Sequence, residues 1–217
     1  FFFSCIKCVA MKMIVWTLMF LMFGFVCFAD DSCAPVPVQS NFNITTFTSA
    51  PWYAQVGQPV IYLTKNELYC VVANYTLTGP TSVGVYNYAN VGEVNGPVHD
   101  GNICAVVPDT TEPAKLAVGP CFLPSSLYGP YWVVLAGPDP LNYEYALISG
   151  GQPTINTGNG CKTGEGVNGS GLWVFSRDSV APQSQIDMVI AQAKQLGYDT
   201  SVLLPIEQEG CIYPDGL

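Results

Sequence analysis

Six cysteines, one histidine and a single arginine carry most of the chemistry this sequence could perform. Behind an apolar leader lie Cys33, Cys70, Cys104, Cys121, Cys161 and Cys211, an even set with no Cys-x-x-Cys spacing. That pattern predicts three disulfides made in an oxidising compartment, and it leaves no thiolate nucleophile. The only histidine, His99, falls in a polar stretch read as a loop, so neither a zinc set nor a Ser-His-Asp arrangement is supported. Asp139 and Glu144 are candidates for paired carboxylates, but both sit beside a turn, where carboxylates are ordinarily solvated. The sequence therefore predicts no catalytic residue, no metal and no cofactor. Acceptor sequons at Asn43-Ile-Thr45, Asn74-Tyr-Thr76 and Asn168-Gly-Ser170 predict glycosylation at Asn43, Asn74 and Asn168.

The elements that must position these groups are mostly strands. Apolar runs separated by turn residues cover 52–56, 69–77, 83–88, 103–107, 114–118, 131–136, 143–149 and 172–176. Thr-Gly-Pro at 78–80, Pro-Asp-Thr-Thr-Glu-Pro at 108–113 and Gly-Pro-Asp-Pro at 137–140 mark the turns. Consecutive hairpins of this kind predict an all-β, eight-stranded, up-and-down antiparallel barrel. One amphipathic helix follows: Ile186, Val189, Ile190, Ala193 and Leu196 share a face at a period near 3.6. Pro182 suits its first turn and Gly197 the left-handed position after its end. The helix is expected to pack on the outside of the barrel, followed by a last strand over 201–204. The segment from 150 to 171 holds eight glycines and is expected to be a mobile surface loop.

Residues 13–29 form an apolar run after Lys12, ending Cys27-Phe-Ala29 before Asp30-Asp31. Positive start, apolar middle and small residues at −3 and −1 describe a secretory signal peptide over residues 1–29, with 1–10 an upstream extension. An uncleaved anchor helix is the alternative, since the run approaches the ~20 residues that span a bilayer. Residues 30–217 then form one domain on the secretory route. From Asp30 onward, five basic residues stand against all 16 acidic ones, a net charge of −11. That balance argues against nucleic acid and against electrostatic attachment to anionic lipid.

Strand alternation orients the barrel wall. Val71, Ala73 and Tyr75 share one face and Cys70, Val72 and Asn74 the other. A glycan on Asn74 must point outward, which turns Tyr75 inward. Cys104 and Cys121 are equidistant, to within a residue, from the turn between Glu112 and Pro113, so a hairpin would place them opposite each other.

Several segments, in order, resemble the lipocalins, in particular the branch of apolipoprotein D and the bacterial outer-membrane lipocalins. They are Asn41-Phe-Asn43, Ala50-Pro-Trp-Tyr53, Cys70-Val-Val-Ala-Asn-Tyr-Thr-Leu77, Thr111-Glu-Pro-Ala-Lys-Leu116, Pro130-Tyr-Trp132, Tyr145-Ala-Leu-Ile148 and Trp173-Val-Phe-Ser-Arg177. Two motifs depart from the family: Gly-x-Trp is Ala50-Pro51-Trp52, and Thr-Asp-Tyr is replaced by Gly137-Pro-Asp-Pro-Leu-Asn142. The resemblance implies that Arg177 lies across the ring of Trp52 at the barrel floor. It also implies the pairs Cys70–Cys211 and Cys33–Cys161. The inward set it implies, with the alternation above, is Val71, Ala73, Tyr75, Val85, Asn87, Tyr131, Val133, Trp173 and Phe175. Such a cavity would hold a small hydrophobic ligand: a fatty acid, sterol, retinoid or carotenoid. Apolar patches at Val60–Leu63 and Phe122–Leu127 would form a mouth rim that guides lipid or touches a membrane or lipoprotein. A lipocalin-fold enzyme and a structural protein with a filled barrel are the alternatives.

Overall fold

Alternating apolar and polar side chains make one face of each strand seek a common interior, and here the sheet closes on itself to provide one. The computed structural model describes residues 32–216; the leader assigned to residues 1–29 lies outside the described residues. The strands are β1 (Trp52–Gly57), β2 (Tyr69–Gly79), β3 (Ser82–Asn90), β4 (Val98–Val106), β5 (Lys115–Gly119), β6 (Gly129–Asp139) and β7 (Asn142–Ser149). Two short strands, β8 (Ile155–Asn156) and β9 (Cys161–Lys162), precede β10 (Leu172–Ser176), and β11 (Leu204–Pro205) comes last. Neighbours in the barrel pair antiparallel in chain order from β1 to β7; β10 then pairs with both β7 and β1, closing eight strands into a barrel. β11 adds to the outer end of β1.

Two helices complete the fold. α1 (Ile44–Phe47) is a single turn whose N-cap, Asn43, accepts from the Thr46 amide through its side chain. α2 (Gln183–Gln195) runs outside the barrel with Ile186, Val189 and Ala193 buried. Val189 and Ala193 pack with Leu147, Leu172, Val174 and Tyr198 in a cluster separate from the barrel interior. Pro182 occupies the cap position, and Gly197 follows the C-cap at φ +91°, the left-handed conformation glycine takes without strain.

All three disulfides form as expected: Cys33–Cys161, Cys70–Cys211 and Cys104–Cys121. The geometry of the last differs in detail, because Gly119 pairs with Cys104 in the ladder and Cys121 lies two residues further on.

Three expectations need correction. The 201–204 segment is not a strand: residues 200–202 form a 3-10 turn capped by Asp199, and only Leu204–Pro205 pair. His99 is in β4, opposite Ala89, rather than in a loop. The Gly-rich segment 150–171 is built into the fold. Thr163 and Ser170 are buried; Thr163 Oγ1 donates to Gln58 Oε1 at 3.1 Å, and the Asp199 amide donates to the Cys161 carbonyl at 2.9 Å. Glycine is required there for close approach rather than for mobility. A Cβ on Gly150 would lie 1.9 Å from the Ser170 carbonyl oxygen, and one on Gly160 2.7 Å from the Asp199 amide nitrogen.

Candidate binding site

The ladder register shows which side chains share the lumen. Ala73 pairs with Asn87 and Tyr75 with Val85, while Asn87 pairs with Gly101. Leu116 pairs with Tyr131, Val133 and Trp173 both face Ile148, and Phe175 pairs with Ala146. Ala73, Tyr75, Val85, Val133, Trp173 and Phe175 are all buried in one cluster, with Val71 and Tyr131 packed against it. Asn87 shares the inward parity but is exposed to solvent. The outward parity is equally clear: Cys70, Val72 and Tyr88 form an outer cluster with Tyr53, Cys211 and Tyr213.

The closed end of the lumen is packed with rings. Trp52 is fully buried, its centroid 5.1 Å from Phe47 and 6.4 Å from Phe175. The Arg177 guanidinium lies 3.7 Å from the Trp52 ring centroid. Its N–H groups donate to the carbonyls of Thr46, Phe47, Ala50, Pro51 and Tyr143, so one fork satisfies the C-terminal end of α1 and the turn into β1. Burial pulls the Arg177 pKa down to about 10, partly countered by nearby Tyr75, and the group stays cationic at neutral pH. A cation over an indole contributes about 0.5–2 kcal/mol, more when desolvated.

Above this floor, Tyr75 and Tyr131 meet across the barrel, hydroxyl to hydroxyl at 2.6 Å. Burial pushes both phenols well above their ordinary value. They form a neutral polar pair inside an otherwise apolar wall, able to donate to or accept from one ligand oxygen. Toward the mouth the walls divide. Trp173 stands against Tyr62, with centroids 6.5 Å apart, and a Cβ on Gly57 would lie only 2.7 Å from its indole. On the β3–β4 side, inward-facing Asn87 is exposed, and a Cβ on Gly101 would meet nothing within 4 Å. The lumen is thus aromatic and packed at its base, and open beside Asn87 and Gly101.

The mouth loops are stitched together. The Ile61 amide donates to the Glu165 carbonyl at 3.0 Å, Gln58 Nε2 to the Gly164 carbonyl at 2.9 Å, and the Tyr62 hydroxyl to the Ser170 carbonyl at 3.2 Å. On the opposite side, the Gly92 amide donates to the Asn66 carbonyl at 2.7 Å, and His99 Nδ1 lies 2.5 Å from Glu67 Oε1. Burial is the largest single influence on the Glu67 carboxyl and raises it, but donation from the Thr64 amide and hydroxyl and the nearness of His99 together outweigh it, and the net shift is downward. Ile61 is exposed on the β1–β2 loop, and Leu127 and Phe122, the latter at 86%, are exposed on the β5–β6 loop.

Sequence reasoning found the inward set but not the Tyr75–Tyr131 bond, the Phe47 plug, the Glu67–His99 contact or the Gln58–Thr163 tie. A Thr-x-x-Glu capping box at Thr64–Glu67 was the available signal for the third. The Tyr75–Tyr131 bond and the Gln58–Thr163 tie join residues far apart in sequence, Phe47 reaches distant Tyr75 and Tyr143 as well as nearby Trp52, and no local pattern announces them.

A closed eight-stranded antiparallel barrel with one long outer helix and an Arg–Trp floor has the lipocalin architecture. No protein-family model matches the chain. A putative lipocalin of Acanthamoeba polyphaga mimivirus is 26% identical over 171 residues, covering 76% of this chain and 85% of that protein. Among solved structures, the cockroach major allergen Per a 4 superposes with a TM-score of 0.54 at 16% identity, covering 83% of this chain and 97% of that one. H1 crustacyanin of the lobster Homarus americanus superposes at 0.52 with 14% identity, over 84% and 93% of the two chains. The chain shares the fold of these proteins.

Proposed function

We propose that this chain is a secreted lipocalin that holds a small hydrophobic molecule in its barrel. The observation that carries the reading is the composition of the lumen. An apolar and aromatic wall, open beside Asn87 and Gly101, ends on the buried hydroxyl pair of Tyr75 and Tyr131. That is the usual make-up of a small-molecule site, apolar lining with few polar groups to fix orientation. The ligand class is a fatty acid, sterol, retinoid or carotenoid whose terminal oxygen meets the tyrosine pair. The apolipoprotein D branch, noted from the Cys70–Leu77 and Trp173–Arg177 segments, belongs to the same proposal.

Three disulfides among the described residues and the apolar leader support passage through the secretory route. Exposed Ile61, Phe122 and Leu127 support contact of the mouth rim with neutral lipid or lipoprotein. A carrier rather than an enzyme is the reading for His99 as well, since its Nδ1 faces Glu67 on a mouth loop. The competing reading, a filled structural barrel, draws on the ring packing of Phe47, Trp52, Phe175 and Tyr143 at the base. Native mass spectrometry of the protein purified from a secreting eukaryotic host separates the two. A carrier shows a co-purified lipid or takes one up when a mixture is added; a filled barrel shows the bare mass in both cases.

A further inference from the structure

A second recess lies at the opposite end of the barrel from the mouth. It is an open cleft of about 490 Å3 between α1 and β2, bordered by Thr45, Thr48, Ser49, Pro51, Thr76 and Leu77, with Asn74 in its wall. None of the lining side chains is charged. Asn74 and Thr76 are the first and third residues of a sequon, and the Asn74 side-chain amide makes no protein hydrogen bond among the described residues. The other sequons differ. Asn43 has its side-chain oxygen engaged by the Thr46 amide at 3.2 Å, and Asn168 is exposed on the 150–171 segment.

The cleft is chemically suited to a neutral sugar. Thr48 and Ser49 donate their hydroxyls to the carbonyls of Ile44 and Thr46, at 2.9 and 2.8 Å, and keep lone pairs free to accept from sugar hydroxyl or acetamido N–H groups. Thr45 and Thr76 have hydroxyls with no protein partner among the described residues, free to donate. Leu77 and Pro51 offer apolar surface against which the C–H face of a pyranose ring can lie.

We propose that Asn74 carries an N-linked glycan whose first sugars lie in this cleft and fasten α1 to β2. In the transfer, Asn74 Nδ2 loses a proton and bonds to the anomeric carbon of N-acetylglucosamine as the polyprenyl pyrophosphate of the sugar donor departs. The inference rests on the secretory route and not on ligand binding, so the two fail separately.

The test uses the full chain secreted from a eukaryotic host. Glycopeptide mapping should find the sugar on Asn74, and Thr76→Ala should remove that mass. Native-state release by peptide:N-glycosidase should be about ten-fold slower from the unaltered protein than from Ser49→Trp, whose indole fills the cleft, the size expected for two or three net hydrogen bonds. Amide exchange over residues 45–51 should be several-fold slower in the glycosylated protein than in Thr76→Ala, a comparison that does not depend on Ser49→Trp folding. An unmodified Asn74 would overturn the proposal, as would exchange over 45–51 that is the same with and without the sugar.

Discussion

The Arg177 guanidinium stacks 3.7 Å from the centroid of the Trp52 ring while donating to five backbone carbonyls. One side chain thereby joins α1, the start of β1, β7 and the end of β10. Arg177→Ala should cost about 2–5 kcal/mol, since it removes the cation–π contact and orphans buried carbonyls at once. Arg177→Lys should restore only a minority of that loss, because an ammonium cannot reproduce the planar fork. Urea melts of the three proteins check both statements.

Tyr75 and Tyr131 make a second testable pair. Changing either to Phe leaves the other hydroxyl buried without its partner and should cost about 1–3 kcal/mol, whereas the double change should cost less than the sum of the singles. The pair also sets an alkaline limit. Burial raises both phenols above their ordinary value near 10, so the protonated forms are favoured by folding. Their contribution is complete below about pH 10 and is lost as pH rises beyond it. Absorbance titration near 295 nm should show these tyrosines ionising only with unfolding, and Tyr75→Phe/Tyr131→Phe should shift that transition.

The Glu67–His99 contact predicts an acid response at the mouth. Because the folded Glu67 carboxyl titrates below its ordinary value of 4.5, its contribution is present above that pH and is lost as pH falls through the lower, folded value. Amide protection in residues 58–68, with rates corrected for the intrinsic pH dependence of exchange, should fall as pH drops below 4.5, and Glu67→Gln should lower protection at neutral pH and remove that fall. Protection in 58–68 that stays unchanged from neutral pH down to the lowest pH at which the barrel remains folded would contradict the assignment.

On α2, Val189 is fully buried whereas Ile190 is half-buried. Val189→Asp places a carboxylate among Leu147, Leu172 and Val174 and should cost several kcal/mol. Ile190→Asp should cost clearly less. Thermal melts of the two variants rank the positions, and equal losses would mean the helix sits differently on the barrel.

What could be seen in the sequence follows from the range of the interactions. Strand alternation gave the inward parity of Val71, Ala73 and Tyr75, because parity is a local property of the chain. The outer helix was visible for the same reason, in the spacing of Ile186, Val189 and Ala193. Composition misled at 150–171, where glycine content suggested mobility. The structure uses those glycines so that Gly150 can pass Ser170 and Gly160 can pass Asp199. His99 was assigned to a loop because its neighbours are polar, yet an inward-facing strand end beside an open mouth needs no apolar residue. Cross-barrel partners such as Tyr75 and Tyr131, 56 residues apart, leave no mark on either local sequence.

A lumen built this way should take up a hydrophobic molecule. The most direct test is a fluorescence titration of the mature protein with a fatty acid, a sterol, a retinoid and a carotenoid, reading Trp173 near the mouth. At least one conjugated ligand should quench emission to saturation with a dissociation constant of about 1 μM or tighter, on the scale of burying a largely apolar ligand. Trp173→Phe should remove most of the quenching, and Gly101→Trp, which fills the open side of the lumen, should weaken binding at least roughly ten-fold, about 1.4 kcal/mol. Saturable binding that Gly101→Trp leaves unchanged would place the ligand elsewhere. No binding by any member of the panel, in protein shown to be folded and free of co-purified lipid, would contradict the account.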